Sequence, residues 1–456
     1  MNCNLLSQNL ILLICTIFSA IAVFLMMQLF RKNPYKNKKT AEKDKLLRKR
    51  LLIASAVALA CIFIVGLILK LLFGYFTESQ LPYSFILMVL PLTFSVALLS
   101  LIFIYKIKLW RAASILIIIG VFFSLLLIND YYRFYPTIGQ LFNQNSNVAN
   151  IGRDKDGIFV KLSSNLESNG IKNSLESELN SIGNISTDGK VYSLNIPGSI
   201  SKFKARGAFV YVPAAYFSLN NTNFPVVVLT AGYPGLTENW LGSGLENTMD
   251  QFAHLHDGIT PLVFMVDNTG SLTNDTECVN SARGNVEAYL ATDVPNYIKD
   301  HFRVDNNPNN WAIGGLSMGG MCSVMLALRH TNIYHNFMDY GGEIGPEIGS
   351  KQKTIDTLFG GSIESWEEHQ PDYLLTTKNF KSLGMGGFFG DGNQDSRIVT
   401  QALIKLSNDS QNAGIDTVSE TINGPHTFNV WSQLFKDSLP WVSNRVGATQ
   451  CNSECI

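Results

Sequence analysis

The pattern of apolar positions divides the chain into two parts. Before residue 130, four long apolar runs occupy residues 8–30, 51–74, 83–105 and 112–128. Each is close to the about 20 residues that a helix needs to cross a bilayer. We therefore predict a membrane domain of four transmembrane helices over residues 1–130.

After about residue 190, the pattern changes to short apolar runs of strand length. The runs at 224–232 and 260–268 are continuously apolar, which is typical of parallel strands buried on both faces. Residues 287–302 have helical spacing, and residues 311–316 form an apolar run that enters a turn. Further strands are predicted at 190–198, 205–217, 336–343, 384–392 and 416–424. This alternation predicts an α/β domain over residues 191–456, with a mostly parallel sheet and helices on both faces.

The segment at residues 131–190 separates these two parts and is rich in Asn, Ser, Gly and Asp. Such a composition favours turns and loops over buried elements. We interpret the segment as a linker or a small cap region.

Charge predicts how the four spans are oriented. Residues 31–50 hold ten Lys and Arg, and residues 106–111 hold three more, whereas the loops at 1–9 and 74–82 hold none. Basic loops stay on the cytoplasmic side of a membrane, so the N-terminus and the α/β domain are expected outside the cytoplasm. The basic loop at 31–50 is interpreted as solvated, with contact to anionic lipid as the alternative. The net charge of −1 does not favour nucleic acid as a partner.

One short motif carries candidate chemistry. Gly315, Ser317 and Gly319 fit the pattern G-x-S-x-G, between an apolar strand and an apolar helix. This spacing is typical of a nucleophile elbow, because side chains two residues either side of the serine would collide with neighbouring backbone. We predict that Ser317 is a catalytic nucleophile; the alternative is a structural turn of small residues.

A serine nucleophile needs a base and an acid, which follow it along the chain in α/β-hydrolases. Of the seven histidines, His426 lies in a loop between the last predicted strand and a terminal helix, so it is the predicted base. His369 falls in a helical stretch, where solvent exposure is expected. Asp395 is the preferred acid and stands before a predicted helix, while Asp391 follows the strand more directly and remains the alternative.

The oxyanion hole is expected to use backbone N–H groups from Met318, after the nucleophile, and Tyr233, after the strand that ends at residue 232. His254 and His256 form an H-x-H pattern, but their surroundings are helical, so no metal site is predicted. No GxGxxG or phosphate-loop motif occurs, so no nucleotide cofactor is expected.

Four segments, "PVVVLTAGYPG", "DVPNYIKDHF", "WAIGGLSMGGMCS" and "GPHTFNVW", together resemble the putative esterase family of α/β-hydrolases over residues 190–445. That family includes esterase D-like enzymes and secreted mycolyltransferases. The resemblance implies acyl-ester chemistry by a Ser–acid–His triad without a metal, and an oxyanion N–H at Tyr233. With its predicted spans, the chain looks similar to bacterial membrane-anchored esterases that hydrolyse aminoacyl esters of envelope lipids, such as alanyl-phosphatidylglycerol.

Seven cysteines are present, and four of them lie in the polar part of the chain: Cys278, Cys322, Cys451 and Cys455. Four cysteines allow two disulfides in an oxidising compartment, but their pairing does not follow from sequence. The resemblance to membrane-anchored esterases implies a disulfide between Cys278 and Cys322.

These patterns predict a multi-pass cell-membrane protein, of bacterial type, with an extracytoplasmic serine esterase domain acting on an envelope lipid ester. Two alternatives remain open at this stage. One is an acyltransferase that passes the acyl group to an envelope sugar or lipid. The other is a non-catalytic envelope protein that keeps a hydrolase fold.

Overall fold

The chain forms two compact units, Met1–Gln144 and Asn145–Ile456. The computed structural model describes residues 8–31, 49, 83–104, 110–132, 149–150, 188–219, 222–272 and 274–449.

The first unit contains three described helices, α1 (Gln8–Arg31), α2 (Tyr83–Ile104) and α3 (Trp110–Tyr132). Helices α2 and α3 approach closely, because Gly120 presents no side chain where a Cβ would lie 2.5 Å from Ser95 Oγ. Apolar side chains from all three helices share one buried cluster: Phe18, Leu25, Leu98, Ile102, Leu116 and Phe123.

The predicted four-span arrangement is matched only in part. Three of the four apolar runs are helices, and the run at 51–74 lies outside the described residues. By length and composition, one helical segment among the described residues, Arg111–Asp130, is long and apolar enough to cross a membrane, with a mean hydropathy of 2.5. Leu12–Leu25 and Met88–Leu99 are shorter apolar stretches. Four spans therefore stay a prediction.

The second unit is an α/β domain built on a nine-stranded sheet. Its strands are β1 (Ala149–Asn150), β2 (Lys190–Leu194), β3 (Ala208–Val212), β4 (Val226–Thr230), β5 (Leu262–Val266), β8 (Trp311–Leu316), β9 (Asn336–Tyr340), β10 (Gly386–Gly392) and β11 (Asp416–Ile422), and a separate hairpin joins β6 (Asn280–Ser281) to β7 (Gly284–Asn285). The helices are α4 (Ala214–Ser218), α5 (Glu238–Gly242), α6 (Leu245–Leu255), α7 (Val286–Ala288), α8 (Val294–His301), α9 (Met318–Arg329), α10 (Lys351–Leu358), α11 (Ile363–Glu367), α12 (Pro371–Thr377), α13 (Arg397–Asn412) and α14 (Phe428–Arg445).

The strand order across the sheet is β1-β2-β3-β5-β4-β8-β9-β10-β11. From β5 to β11 all neighbours are parallel, whereas β3 runs antiparallel to both β2 and β5. The predicted mostly parallel sheet is confirmed. Because parallel strands end at the same edge, the loops after β4, β5, β8, β9 and β10 gather along one side of the domain.

Burial explains why the central strands read as continuous apolar runs. Every residue of β4, β5 and β8 is buried, as expected for strands covered on both faces. Helix α9 is likewise buried from Met318 to Leu328. Its first turn carries Gly319 and Gly320, which let the helix approach the sheet closely.

Two local features depart from the expected pattern. The helix predicted at 287–302 contains a π-helical turn at Tyr289–Asp293, flanked by α7 and α8. Strand β1 falls within the stretch interpreted as a linker or cap, and it pairs in parallel with β2. That pairing involves only two residues, which are too few to show the alternation of apolar and polar positions that predicts a strand.

Asp339, in β9, is a fully buried acid next to the candidate site. Its Oδ1 accepts a hydrogen bond from the Gly342 N–H at 2.7 Å, and its Oδ2 finds no donor among the described residues. Burial, with a smaller contribution from nearby Asp391, raises the pKa of Asp339 to about 8. In the unfolded chain, the same carboxyl has a pKa of about 4. Between about pH 4 and about pH 8, the Asp339 carboxyl is therefore protonated in the folded chain but ionised in the unfolded chain. The free energy of unfolding falls as the pH rises through this window.

We expect Asp339→Asn to unfold at a higher temperature than the wild type at pH 8, and the difference to shrink at pH 5. Asparagine is uncharged at both pH values, and its Oδ1 can still accept the Gly342 N–H bond. The effect on the free energy of unfolding should be on the order of a few kcal/mol. Thermal unfolding of the full chain in detergent micelles measures it, with the exposed Asp356→Asn as the control. An equal difference at both pH values would contradict the assignment of this proton to Asp339.

Candidate active site

Ser317 occupies a strained turn between β8 and α9. Its backbone has φ 54° and ψ −125°, in a region that side chains rarely adopt. The turn is held by a 2.8 Å hydrogen bond from the Ser317 N–H to the Tyr340 carbonyl on the neighbouring strand. This geometry lifts the Ser317 side chain out of the strand at the carboxyl edge of the sheet, as a nucleophile elbow requires.

Glycines on both sides of Ser317 make this turn sterically possible. A Cβ on Gly315 would lie 2.3 Å from the Gly319 backbone. A Cβ on Gly319 would lie 2.6 Å from the Ala231 carbonyl oxygen. Neither position can therefore carry a side chain, which is the physical reason for the spacing found in the sequence.

Ser317, His426 and Asp395 lie in a hydrogen-bonded series. His426 Nε2 is 2.9 Å from Ser317 Oγ, and His426 Nδ1 is 2.7 Å from Asp395 Oδ2. The Asp395 side chain is 2% exposed, while that of His426 is 21% exposed. The carboxylate is thus shielded and the imidazole faces the open side of the site. The ring of Trp431 meets His426 edge-on, with centroids 4.7 Å apart, and limits its rotation.

The structure separates the two aspartates that the sequence left open. Asp395 lies in the loop before α13 and contacts His426, whereas Asp391 lies within β10 and accepts a 2.7 Å hydrogen bond from Thr421 Oγ1. The loop is closed by a hydrogen bond from the Asp395 N–H to the Gly392 carbonyl. This turn carries Asp395 past the end of the strand and toward the histidine.

The prediction for a second histidine, His369, is not met. His369 is buried, 7% exposed, and its Nε2 is 3.0 Å from Glu287 Oε2, so the expectation of solvent exposure is wrong. His330 Nε2 and Arg329 Nε contact the same carboxylate at 2.9 and 2.7 Å. Burial raises the pKa of Glu287, but these hydrogen bonds and charges outweigh it and hold the pKa well below its usual range. This cluster ties α9 to α7 and to the loop before α12.

The loop after β4 brings Tyr233 beside the nucleophile. A Cβ on Gly232 would lie 3.1 Å from Ser317 Cβ, so a side chain at this position would push the two loops apart by a few tenths of an ångström. Tyr233 follows directly, and Met318 begins α9, where an N–H has no carbonyl one turn earlier to bond. The two backbone positions expected for an oxyanion hole therefore flank the Ser317 turn.

Asn268, which the sequence analysis missed, holds this loop from behind. Its side chain is fully buried, and its Nδ2 donates to the Ala231 carbonyl at 2.8 Å while its Oδ1 accepts from the Ala231 N–H at 3.3 Å. A side-chain amide that pairs with both backbone groups of one residue fixes that residue's orientation. The only sequence signal is a polar pair, Asp267 and Asn268, at the end of an apolar strand.

Cys278 and Cys322 form a disulfide, as the resemblance implied. Cys322 lies in α9, five residues after Ser317, and Cys278 lies in the loop between β5 and β6. The bond therefore ties that loop to the helix that follows the nucleophile. Cys451 and Cys455 lie outside the described residues.

Metal binding finds no support in the described part of the chain. No group of three or more His, Cys, Asp or Glu side chains there is arranged to hold a metal ion. His254 lies in α6, as its helical surroundings suggested, and pairs with Asp188 at 3.0 Å.

Comparison with solved structures gives distant matches of hydrolase type. An S-formylglutathione hydrolase from Agrobacterium tumefaciens is 16% identical, with 58% of this chain and 98% of that chain covered and a TM-score of 0.48. A fluorophosphonate-binding serine hydrolase from Staphylococcus aureus is 17% identical, with 56% of this chain and 99% of that chain covered and a TM-score of 0.46.

Sequence comparison gives closer matches. An uncharacterized protein of Corynebacterium glutamicum is 39% identical over 254 residues, which are 55% of this chain and 59% of that protein. The match thus spans about three fifths of this curated relative. Residues 203–442, more than half of the chain, match the family described as "Putative esterase". The chain therefore belongs to the putative esterase family.

Proposed function

We propose that this protein is a membrane-anchored, extracytoplasmic serine esterase that hydrolyses an acyl or aminoacyl ester of a cell-envelope lipid. The observation that carries the proposal is the series Ser317–His426–Asp395, joined at 2.9 and 2.7 Å. In this series the serine nucleophile contacts the histidine base, and the histidine contacts the aspartate that orients it, as a catalytic triad requires.

In the acylation step, Ser317 Oγ attacks the ester carbonyl carbon while His426 Nε2 takes the serine proton. Asp395 accepts the Nδ1–H bond and stabilises the imidazolium that forms. The N–H groups of Tyr233 and Met318 receive the negative charge on the carbonyl oxygen, and the N-terminus of α9 adds its positive dipole end. Collapse of the intermediate breaks the ester C–O bond, and His426 returns the proton to the leaving alcohol.

In the second step, water attacks the acyl-serine while His426 again takes a proton as the base. The bond from the acyl carbon to Ser317 Oγ then breaks, His426 returns the proton to Oγ, and the acid product leaves. An envelope hydroxyl could take the place of water, in which case the product is a new ester. The triad serves both reactions equally, so acyl transfer is an outcome of the experiment below.

Three features support a membrane and envelope setting. The first unit carries apolar helices, including the segment Arg111–Asp130. The excess of Lys and Arg at 31–50 and 106–111 favours a cytoplasmic side for those loops and an outside location for the α/β domain. The Cys278–Cys322 disulfide favours an oxidising compartment. An anchored enzyme is confined to the plane in which a lipid ester lies.

The proposal is tested with the full chain in detergent micelles and alanyl-phosphatidylglycerol as the substrate. We expect release of free alanine together with phosphatidylglycerol, and labelling of the chain by a fluorophosphonate probe. Release of fatty acid instead of alanine would show that the enzyme cleaves the fatty acyl ester bond and not the aminoacyl ester bond. Formation of a new ester when glycerol is added would indicate transfer.

A different result is expected if the protein keeps a hydrolase fold but has no catalytic activity. Neither labelling nor ester cleavage would then occur, including in native membranes. That result would contradict the proposed function directly.

A further inference from the structure

The loop that carries Tyr233 packs against the nucleophile through its own backbone. This loop, residues 231–235, follows β4, and we call it the oxyanion loop. A Cβ added to Gly319, in the first turn of α9, would lie 2.6 Å from the Ala231 carbonyl oxygen, and one added to Gly232 would lie 3.1 Å from Ser317 Cβ. The oxyanion loop therefore lies directly against the Ser317 turn and the start of α9.

Asn268 holds the first residue of the oxyanion loop by two hydrogen bonds. Its side chain is fully buried and follows β5, the strand beside β4. Its Nδ2 donates to the Ala231 carbonyl at 2.8 Å, and its Oδ1 accepts from the Ala231 N–H at 3.3 Å. These two groups belong to the peptide planes before and after Ala231, so one rigid amide fixes the direction of both planes.

The next peptide plane of the loop carries the Tyr233 N–H. It is joined to the plane that Asn268 fixes through Gly232, and a glycine backbone has more conformational freedom than any other. The direction of the Tyr233 N–H is therefore set by how firmly its neighbours are held. An anchor at Ala231 is the nearest that the chain can supply without entering the site itself.

The far end of the oxyanion loop is held from the same strand end. Arg206 Nη2 donates to the Gly235 carbonyl at 3.1 Å and to Asp267 Oδ1 at 2.6 Å. Asp267 is fully buried and directly precedes Asn268. Two adjacent residues after β5 thus hold both ends of the loop, one directly and one through Arg206.

Asn268 is in turn fixed relative to the helix that follows the nucleophile. Thr276 Oγ1 donates to the Asn268 carbonyl at 2.6 Å, and Asn268 Nδ2 lies 3.7 Å from Cys278 Sγ. Cys278 is joined by the disulfide to Cys322 in α9. The oxyanion loop, Asn268, the disulfide and α9 therefore form a closed frame around the Ser317 turn.

A polar side chain buried at this position needs a reason beyond packing. An amide in the core costs free energy unless its hydrogen bonds are made, and an apolar side chain of similar size would fill the same space. What the amide adds is the orientation of Ala231. Stabilisation of an oxyanion depends on donors that are already in place when the charge develops, and a displacement of about 1 Å can cost about 10²-fold in rate.

We propose that Asn268 is a positioning residue of the oxyanion hole. By pairing with both backbone groups of Ala231, it directs the Tyr233 N–H toward the oxygen that becomes negatively charged when Ser317 attacks. This inference rests on the proposed function, because it assigns the group that orients one of the two oxyanion donors.

The experiment uses Asn268→Leu, which keeps a side chain of similar size and removes both hydrogen bonds. For the full chain in detergent micelles, the end point of fluorophosphonate labelling counts the active sites, and kcat for alanyl-phosphatidylglycerol is expressed per labelled site. The labelling rate constant is measured as well, because the phosphoryl oxygen of the probe takes the place of the ester carbonyl oxygen. Both quantities are independent of how much protein is folded.

We expect the labelling rate constant and kcat of Asn268→Leu to fall by about 10- to 100-fold, with KM nearly unchanged, because oxyanion donors act in the transition state. The pH at which kcat/KM is half-maximal should also stay the same. In the described chain, the hydrogen bonds of the Asn268 side chain go to Ala231 and Cys278, not to His426 or Asp395.

Asn310→Leu is the matched control. Asn310 is also a buried asparagine, and its Nδ2 donates to the Val446 carbonyl at 2.7 Å. It precedes β8, at the edge of the sheet opposite Ser317. This variant should lower the unfolding temperature but keep the labelling rate constant and kcat.

Asn268→Asp is the second test variant. Its carboxyl can donate to the Ala231 carbonyl only while it is protonated, and burial favours the protonated form. Its labelling rate, relative to the wild type at the same pH, should therefore rise between about pH 8 and about pH 6. A residue that only fills space would show no such recovery.

The failures are distinguishable. An unchanged labelling rate constant and kcat in Asn268→Leu, a raised KM alone, or a shifted half-maximal pH would each overturn this inference. Failure of both Asn268 variants to fold would also overturn it and assign Asn268 to folding. If the wild type is labelled at Ser317 but does not hydrolyse alanyl-phosphatidylglycerol, the proposed substrate is overturned, and the labelling rates still decide the role of Asn268.

Discussion

Ser317→Ala is expected to lower kcat for ester hydrolysis by about 10⁶-fold, because no other group can form the acyl-enzyme. Fluorophosphonate labelling should disappear in the same variant. The substitution removes only the Ser317 hydroxyl and leaves the turn that positions this residue unchanged. The alanine variant should therefore keep the fold and its unfolding temperature. Initial rates with alanyl-phosphatidylglycerol and a labelling gel measure both effects.

Ser199→Ala is the matched control, because this serine lies in an exposed loop of the same domain. It should keep both hydrolysis and labelling. Persistence of labelling in Ser317→Ala would show that the probe reacts elsewhere and would remove Ser317 as the nucleophile.

Asp395→Asn should reduce kcat by about 10⁴-fold, the scale expected when the histidine loses the carboxylate that fixes its tautomer. The 2.7 Å contact from His426 Nδ1 to Asp395 Oδ2 leaves Nε2 free of its hydrogen and able to accept the proton of Ser317. An asparagine can instead present its NH₂ group to Nδ1 and favour the opposite tautomer. Steady-state kinetics with the same lipid substrate measure the loss.

Asp391→Asn provides the comparison, since Asp391 contacts Thr421 and not His426. We expect its kcat to stay within about tenfold of the wild type. A larger loss in Asp391→Asn than in Asp395→Asn would reverse the assignment of the acid.

Local sequence patterns predicted the elements of the α/β domain well. The strand at residues 311–316 and the helix that follows were visible because both are buried and apolar over their whole length. The glycines at 315 and 319 were equally informative, since the contacts that exclude side chains there come mainly from the turn itself and from the adjacent strand β4. The two residues of β1 gave no such signal, because their pairing is decided by a strand about forty residues away.

The site was predicted less completely, for reasons that particular residues make clear. His426 could be chosen because few histidines follow Ser317, but the preference for Asp395 over Asp391 was open, since both stand near the end of one strand. His369 was misjudged because its helical stretch is polar, and only the distant Glu287 explains its burial. Asn268 carries no motif, because it acts through hydrogen bonds with a segment remote in the chain.

The sequence alone determined the two-part organisation, the strand–turn–helix around Ser317 and the charge asymmetry of the first third, because each depends on residues close together in the chain. Tertiary structure alone decided which aspartate meets His426 and which loop Asn268 holds. The physical reason is distance along the chain. Ser317 and His426 are 109 residues apart, and their 2.9 Å contact exists only because the loops after parallel strands meet at one edge of the sheet.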